Sequence, residues 1–167
     1  MIVLETERLT LRQMTPDDAP FMLQLLNEPS FIQNIGDKGV RNLEDARNYI
    51  LTGPMEMYRR YGFGLYRVDL KETGKQIGMC GLIKRDTLTD VDIGYAYMPQ
   101  YWSKGYALEA ASAVMAYGKD TLNLERIVAI VSPHNEGSIK LLQKIGLKFE
   151  KMLRLTPDAH EVKLFTP

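Results

Sequence analysis

The sequence predicts an α/β protein in which helices cover both faces of a mixed sheet. Three strand-like segments joined by short turns occupy residues 62–98, and a continuously apolar segment, RIVAIVSP, occupies residues 126–133. A helix-like segment at 107–122 joins the third strand to this apolar one. Short turns predict antiparallel pairing, whereas a helical connection predicts a right-handed parallel crossover. A ligand is then expected at the carboxyl ends of the parallel strands, near Met98–Ala107.

Composition indicates one globular domain over residues 1–167. Hydrophobic residues make up 45% and charged residues 25%, which is typical of a globular fold. Twenty-one basic residues balance twenty-one acidic ones, so binding to nucleic acid through bulk charge is not expected. No apolar run approaches the roughly 20 residues of a membrane span. One cysteine and two histidines argue against a disulfide or a dedicated zinc site, and we expect a cytoplasmic, metal-free protein.

The first part of the chain reads as a strand followed by helices. Residues 3–14 alternate as one strand, with Leu9 and Leu11 on the same face. Thr15-Pro16-Asp17-Asp18 predicts a helix start with a capping residue, a proline in the first turn and carboxylates at the positive end. That helix should end near Asn27–Pro29, before an irregular stretch. Further helical segments are predicted at Leu43–Leu51 and Met55–Arg60, separated by Gly53-Pro54.

The second part contains the remaining predicted elements. They are strands at 62–70, 77–86 and 91–98, a helix at 107–122, a strand at 126–133, a helix at 137–146 and a hairpin of 148–155 with 160–165. Pro99 should end the third strand because it has no N–H for the ladder.

The loop Met98–Ala107, MPQYWSKGYA, joins a strand to a helix and carries the first candidate site. Its small residues allow backbone N–H groups to converge at the helix N-terminus, which forms an anion site without a charged side chain. The same residues are equally compatible with a plain tight turn. Neither of the common phosphate-binding glycine motifs occurs in the sequence.

Residues further along the chain support a ligand site at this loop over a plain turn. Asn135…Ser138 precedes Lys144-Ile145-Gly146-Leu147, and Trp102-Ser103-Lys104-Gly105-Tyr106-Ala107 lies upstream. Together these segments resemble the GNAT superfamily of acetyl-CoA-dependent N-acetyltransferases, whose pyrophosphate loop is Gln/Arg-x-x-Gly-x-Gly/Ala. The opening Glu5–Arg12, Ile93-Gly94-Tyr95 and the loop resemble more narrowly the ribosomal-protein, RimJ/RimL-like branch. The resemblance covers nearly the whole chain, in the family's order.

The resemblance implies a bent, mostly antiparallel sheet whose fourth and fifth strands splay apart around the pantetheine arm of acetyl-CoA. Backbone amides of the loop would hold the pyrophosphate, and the fourth strand would pair with the arm. The residues expected to bind this co-substrate are Tyr95, Ala96, Tyr97, Trp102, Ser103, Lys104, Gly105, Tyr106, Ala107, Asn135 and Ser138.

Three positions depart from the family pattern. Trp102 stands where glutamine or arginine is usual, and we expect it to fix the loop by packing. Ser103 replaces a frequent glycine. Leu142 stands where many relatives have a tyrosine that protonates the leaving thiolate. The empty tyrosine position keeps an alternative open, a non-catalytic acyl-CoA-binding module that acts as a sensor or partner protein.

Two residues are candidates for catalysis. Asp92 shares a strand face with Gly94 and Ala96, small residues that would leave a cavity beside it, although a solvent-facing charge fits the same position. Ser138 would donate to the thiolate or position the sulfur, or else cap its helix. Glu161 reads mainly as a surface charge. Positioning of the reactants alone can lower the barrier by roughly 7–11 kcal/mol.

The predicted function is transfer of an acetyl group directly to a primary amine, either a protein N-terminal α-amine or a small-molecule amine. Neutralising an α-amine costs about 1 kcal/mol at pH 7, whereas neutralising lysine costs about 4–5 kcal/mol. A site without a strong base therefore favours α-amines. The acceptor's identity is left open, as is the choice between monomer and homodimer.

The remaining candidates read as structural. Cys80 is expected in the core, and His134 and Lys140 on the surface. A cluster of methionine and aromatic side chains is expected mainly in the core, and a role in an acceptor pocket is the weaker interpretation. Its members are Met55, Met57, Tyr58, Tyr61 and Phe63.

Overall fold

The structure is a computed structural model that describes all 167 residues. Eight strands form one sheet in the order β1-β2-β3-β4-β5-β6-β8-β7. The strands are β1 (Ile2–Glu5), β2 (Leu9–Arg12), β3 (Leu65–Leu70), β4 (Gln76–Ile83), β5 (Val91–Tyr97), β6 (Ile127–Val131), β7 (Lys148–Leu153) and β8 (Val162–Thr166). The helices are α1 (Ala19–Leu26), α2 (Pro29–Asn34), α3 (Leu43–Thr52), α4 (Pro54–Tyr61), α5 (Tyr106–Asp120) and α6 (Glu136–Lys144).

The single strand predicted over residues 3–14 is wrong, because the chain turns back and forms the antiparallel pair β1 and β2. Thr6 closes the turn: its N–H donates to the Leu9 carbonyl at 2.9 Å, and its Oγ1 accepts from the Leu9 N–H at 3.1 Å. A hydroxyl that bonds backbone across a turn stabilises the reversal. Leu9 and Leu11 are fully buried, as their alternation predicts.

The predicted helix start at Thr15 is confirmed, although its first turn, Pro16–Asp18, is a 3-10 helix. Asp18 accepts a hydrogen bond from the Thr15 N–H at 2.9 Å. The stretch after Asn27 is more regular than predicted, since Pro29 occupies the first turn of α2. The next two predicted helices are confirmed as α3 and α4, which Gly53 separates.

The predicted meander and crossover are confirmed. β3, β4 and β5 pair antiparallel in sequence order, and α5 connects β5 to the parallel strand β6. The predicted terminal hairpin is β7 and β8, and β8 lies between β6 and β7.

Helices cover both faces of the sheet, as predicted. Side chains alternate along β4: Cys80 and Leu82 belong to the core beneath α5 and α6, whereas Met79 belongs to the core formed with α1, α2 and α3. None of the six helices combines the length and apolar character that crossing a bilayer requires.

Candidate functional site

β5 and β6 diverge soon after they meet. Only two residue pairs join them, Val91 with Ile127 and Asp92 with Val128. Beyond Asp92, the edge of β5 that faces β6 has no strand partner, which is the splay that the family resemblance implies.

The pairing of β5 with β4 determines which backbone groups face this gap. The Met98 N–H donates to the carbonyl of Ile77 on β4. In an antiparallel pair, the backbone N–H and C=O groups of every second residue point to the same neighbour, so counting back from Met98 every second residue points toward β4. Ala96 belongs to that set, and its backbone groups are directed to β4. Of the three residues predicted to pair with pantetheine, only Tyr95 and Tyr97 direct backbone groups into the gap, and the prediction for the backbone of Ala96 is corrected accordingly.

The loop after β5 bends sharply before α5 begins. Ser103 and Gly105 both have positive φ, at 61° and 84°. None of the backbone N–H groups from Ser103 to Ala107 donates to a backbone carbonyl of the chain. Adjacent amides freed by left-handed residues at a helix N-terminus form a concave anion site. The loop therefore has the free amides that the predicted cradle requires, and the phosphate that they would hold stays a prediction.

Trp102 fixes the loop through a hydrogen bond rather than through burial. Its indole Nε1 donates to the Tyr97 carbonyl at 3.0 Å, while 48% of the residue remains exposed. The predicted packing role is corrected to a polar tie between the loop and the end of β5. Because this bond occupies the Tyr97 carbonyl, the Tyr97 N–H is the group left facing the gap.

Arg8, which is not among the predicted site residues, lies against the same loop. Its Nη1 donates to the Lys104 carbonyl at 3.1 Å, and its guanidinium stacks 4.5 Å from the centre of the Tyr106 ring. Nε donates to Glu109 at 2.7 Å on the first turn of α5. The β1–β2 turn therefore braces the loop from behind. No local pattern predicts this contact, because it joins residues about one hundred positions apart.

Glu109 completes the brace. Burial alone would raise the pKa of its carboxyl, but hydrogen bonds from Thr6 and from the backbone and side chain of Arg8 outweigh burial and lower it. The carboxylate in turn raises the pKa of Arg8, chiefly through the side-chain hydrogen bond. Both groups stay charged, and the loop is held at one end by an ion pair.

Ser138 lies in the first turn of α6, where it meets β5. Asn135 caps this helix and accepts from the Ser138 N–H at 3.3 Å, so the capping role considered for Ser138 belongs to Asn135. The Ser138 hydroxyl lies 2.6 Å from the Tyr95 hydroxyl. Burial raises the pKa of Tyr95, so its phenol stays protonated. Leu142, at the position of the family's tyrosine, is buried in the core.

Asp92 is 1% exposed and does not face solvent, so the surface alternative for this residue is wrong. Arg85 holds it from Nε to Oδ1 at 2.9 Å and from Nη2 to Oδ2 at 3.4 Å. Burial raises the pKa of Asp92, and the charge of Arg85 opposes that rise. A buried carboxylate with a raised pKa beside a cleft is a candidate proton acceptor.

A cleft of about 1180 Å³ is lined by Asp92, Tyr95, Asn135 and Ser138, whereas the loop residues Ser103–Ala107 do not line it. α2 and the residues after it form the opposite wall, where Ser132 donates through its hydroxyl to the Asn34 carbonyl at 2.5 Å. The cleft is therefore enclosed between the end of β6 and the helices packed on the other face.

Most of the remaining candidates are structural. Cys80 is fully buried, and burial raises its pKa to about 12. Of the methionine and aromatic cluster at residues 55–63, only Met57 lines the cleft. Glu161 is exposed, pairs with Arg154 at 3.6 Å and reaches the cleft rim. His134 is exposed on the rim, while Lys104 and Lys140 are exposed elsewhere.

Comparison with known proteins places this geometry in a family. The profile of the acetyltransferase (GNAT) domain matches residues 8–148. An uncharacterized N-acetyltransferase, YoaA of Bacillus subtilis (strain 168), is 34% identical over 154 residues, which cover 91% of this chain and 86% of that protein. Another, p20 of Bacillus licheniformis, is 34% identical over 156 residues, covering 92% and 86% of the two chains.

Solved structures agree on the fold. An acetyltransferase from Agrobacterium tumefaciens str. C58 superposes with a TM-score of 0.82 at 28% identity, covering 98% of this chain and 92% of that one. RimL, a ribosomal L7/L12 α-N-protein acetyltransferase solved with coenzyme A, superposes with a TM-score of 0.85 at 18% identity, covering 100% and 97%. The RimL match shows only that the two chains share a fold. The splayed strands, the open amide cradle and these matches agree: the chain belongs to the GNAT family of N-acetyltransferases.

Proposed function

We propose that this chain transfers the acetyl group of acetyl-CoA directly to a primary amine, either the N-terminal α-amine of a protein or a small-molecule amine. The observation that carries the proposal is the run of free amides from Ser103 to Ala107. An anion held there would place the rest of acetyl-CoA along the open edge of β5, with its thioester in the cleft between β5 and β6.

Different residues of the chain would bind different parts of acetyl-CoA. The amides of the loop would hold the diphosphate, with Trp102 and Lys104 keeping the loop in place through the contacts described above. The backbones of Tyr95 and Tyr97 would pair with the pantetheine arm, and Asn135 would meet it from α6. Ser138 would lie nearest the sulfur, since it lines the cleft beside Tyr95.

An α-amine suits this cleft better than a lysine. Its neutral form costs about 1 kcal/mol at pH 7, against about 4–5 kcal/mol for lysine. One named relative supports this class: the [ribosomal protein uS5]-alanine N-acetyltransferase of Escherichia coli (strain K12) is 34% identical over 91 residues, which cover 53% of this chain and 44% of that protein.

Two side chains would assist the transfer. Asp92 would accept the amine proton, directly or through a water, with the lone pairs that Arg85 leaves free. Ser138 would donate a hydrogen bond to the sulfur as the carbon–sulfur bond breaks. The variant Asp92→Asn should therefore reduce activity more at low pH, where the amine needs a base, than at high pH, down to the pH at which Asp92 itself is protonated.

The test is release of free thiol from acetyl-CoA with a panel of acceptors. We expect turnover with peptides that present a free α-amine or with small primary amines, and much slower turnover with a peptide whose only amine is a lysine side chain. The same peptides acetylated at the N-terminus serve as matched controls. Tight binding of coenzyme A with no turnover on any acceptor would contradict the proposal and would favour the acyl-CoA-binding module that Leu142 leaves open.

A further inference from the structure

The cleft contains one tyrosine hydroxyl whose partner is a candidate reacting group. Tyr95 is on β5, with its side chain on the face beneath α5 and α6, and its hydroxyl lies 2.6 Å from Ser138 Oγ. The next acceptor for the phenol is the Ser138 carbonyl at 3.4 Å, which is long for a hydrogen bond. Of the two, the hydroxyl of Ser138 is by far the better partner.

The chemistry of the pair sets the direction of this bond. A phenol is a stronger acid than an aliphatic alcohol, so it is the better donor and the serine oxygen the better acceptor. Ser138 Oγ has no hydrogen bond in the chain apart from the one with Tyr95. A serine in a helix commonly donates back to the carbonyl four residues earlier, but that bond is absent here. The serine proton is consequently free to point into the cleft.

We propose that Tyr95 is a positioning residue: its hydroxyl donates to Ser138 Oγ and so directs the Ser138 proton toward the sulfur of the bound thioester. This inference rests on the proposed function. It gives β5 a side-chain role in addition to its backbone role, one that differs from direct protonation of the thiolate because Tyr95 acts through Ser138.

The step balances without any further reactant. The amine nitrogen bonds to the carbonyl carbon and gives its proton to Asp92, the proposed base, and the carbon–sulfur bond breaks with its electron pair on sulfur. Ser138 donates a hydrogen bond to that sulfur while Tyr95 keeps its own proton. The thiolate then takes a proton from solvent as it leaves. Tyr95 therefore acts on the rate of bond breaking and has no contact with the acetyl group.

The test is a double-mutant cycle of Tyr95→Phe and Ser138→Ala with steady-state kinetics. Tyr95→Phe removes one oxygen and preserves the ring, so the fold and the Michaelis constant for acetyl-CoA should hold. We expect kcat to fall about tenfold in Tyr95→Phe and about 10- to 100-fold in Ser138→Ala, in line with loss of a hydrogen bond to a charged group. The double variant should be no slower than Ser138→Ala.

Tyr66→Phe is the matched control. Tyr66 is buried on β3 and does not line the cleft. Cys80 on β4 lies between the two tyrosines, since it pairs with Tyr66 on one side and with Tyr95 on the other. Substitution of Tyr66 also removes a phenol oxygen from the same sheet face and should leave kcat unchanged.

Two results would overturn the inference: a kcat of Tyr95→Phe within twofold of the parent, or losses that multiply in the double variant. A parent chain that turns over no acceptor would instead refute the proposed function, so the two failures are distinguishable.

Discussion

The helical region at residues 15–62 lines the cleft and the loop at residues 98–107 lies outside its lining, and the two regions are built differently. The loop presents backbone N–H groups, which any sequence possesses, and depends on positive φ at Ser103 and Gly105 to expose them. The helical region presents side chains from short helices packed on the other sheet face. A site made of backbone can keep one ligand across a family, whereas a wall made of side chains is free to vary with the acceptor.

The two regions are also attached to the sheet by different means. Arg8 and Trp102 tie the loop to the ends of strands through partly exposed contacts. The helical region is anchored by Asp18, which is 2% exposed and accepts from Arg12 at 3.0 Å and from Arg67 at 2.5 Å. The buried anchor should govern stability, and the exposed ties should govern affinity for coenzyme A.

The largest effect should come from Asp18→Ala. Removing the carboxylate leaves two arginines sharing Asp69 in a buried setting, and loss of one partner of a buried ion pair should cost about 3 kcal/mol in the free energy of unfolding. Denaturant unfolding measures it. Asp17→Ala is the control, since that neighbouring carboxylate is exposed. A loss below about 1 kcal/mol would show that the anchor contributes little.

Gly105→Val should weaken binding of coenzyme A by about 10- to 100-fold, because a β-branched residue strains a left-handed position. Its Cβ would also lie 3.2 Å from Nη2 of Arg8. Calorimetric titration measures the affinity. Gly74→Val imposes the same strain at φ 74° in the β3–β4 turn, where no atom lies within 4 Å, and should leave affinity unchanged. Equal affinities for the two variants would contradict the cradle.

Arg85→Gln should move the acid limb of the activity profile to higher pH by about one unit. The positive charge of Arg85 favours the ionised form of Asp92, so its removal raises a pKa that burial already raises. The base is then protonated over a wider pH range. Rates measured from pH 5 to 9 test this, with Arg126→Gln as the control, because Arg126 pairs with half-buried Asp90 next to the same strand. An unmoved limb would exclude Asp92 as the base.

The smallest effect should come from Arg8→Ala. Without the guanidinium, the Lys104 carbonyl and Glu109 lose the hydrogen bonds that Arg8 donates to them. The affinity for coenzyme A should then fall roughly threefold to tenfold. Arg59→Ala removes a comparable exposed ion pair on α4, in the other region, and should have no effect on that affinity. Similar behaviour of the two variants would show that the brace behind the loop is dispensable.

Local signals explain what the sequence predicts well. The meander follows from apolar segments separated by turn residues, and the bend of the loop follows from Gly105, whose positive φ requires no knowledge of distant contacts. The family and fold predictions are confirmed for that reason. Binding of an anion by that loop stays a prediction. The roles assigned to Ser138 and Asp92 stay proposals, although the structure brings both into one cleft.

Long-range contacts explain most of what the sequence does not predict. The brace depends on Arg8 meeting Glu109, about one hundred positions along the chain. The burial of Asp92 against Arg85 likewise requires the turn between β4 and β5 to fold back. Such pairings have no periodicity, so no pattern in the sequence reveals them. The split of residues 3–14 depends instead on a local hydrogen bond from the Leu9 N–H to the Thr6 hydroxyl, which the strand-like alternation on both sides does not reveal.

Amide hydrogen exchange along the chain, with and without saturating coenzyme A, tests the central claim most directly. We predict that exchange of the amides from Ser103 to Ala107 slows strongly when the coenzyme is present, because a bound diphosphate would accept their hydrogen bonds, while the β3–β4 turn exchanges as before. Unchanged exchange at those five amides under saturation would contradict the account.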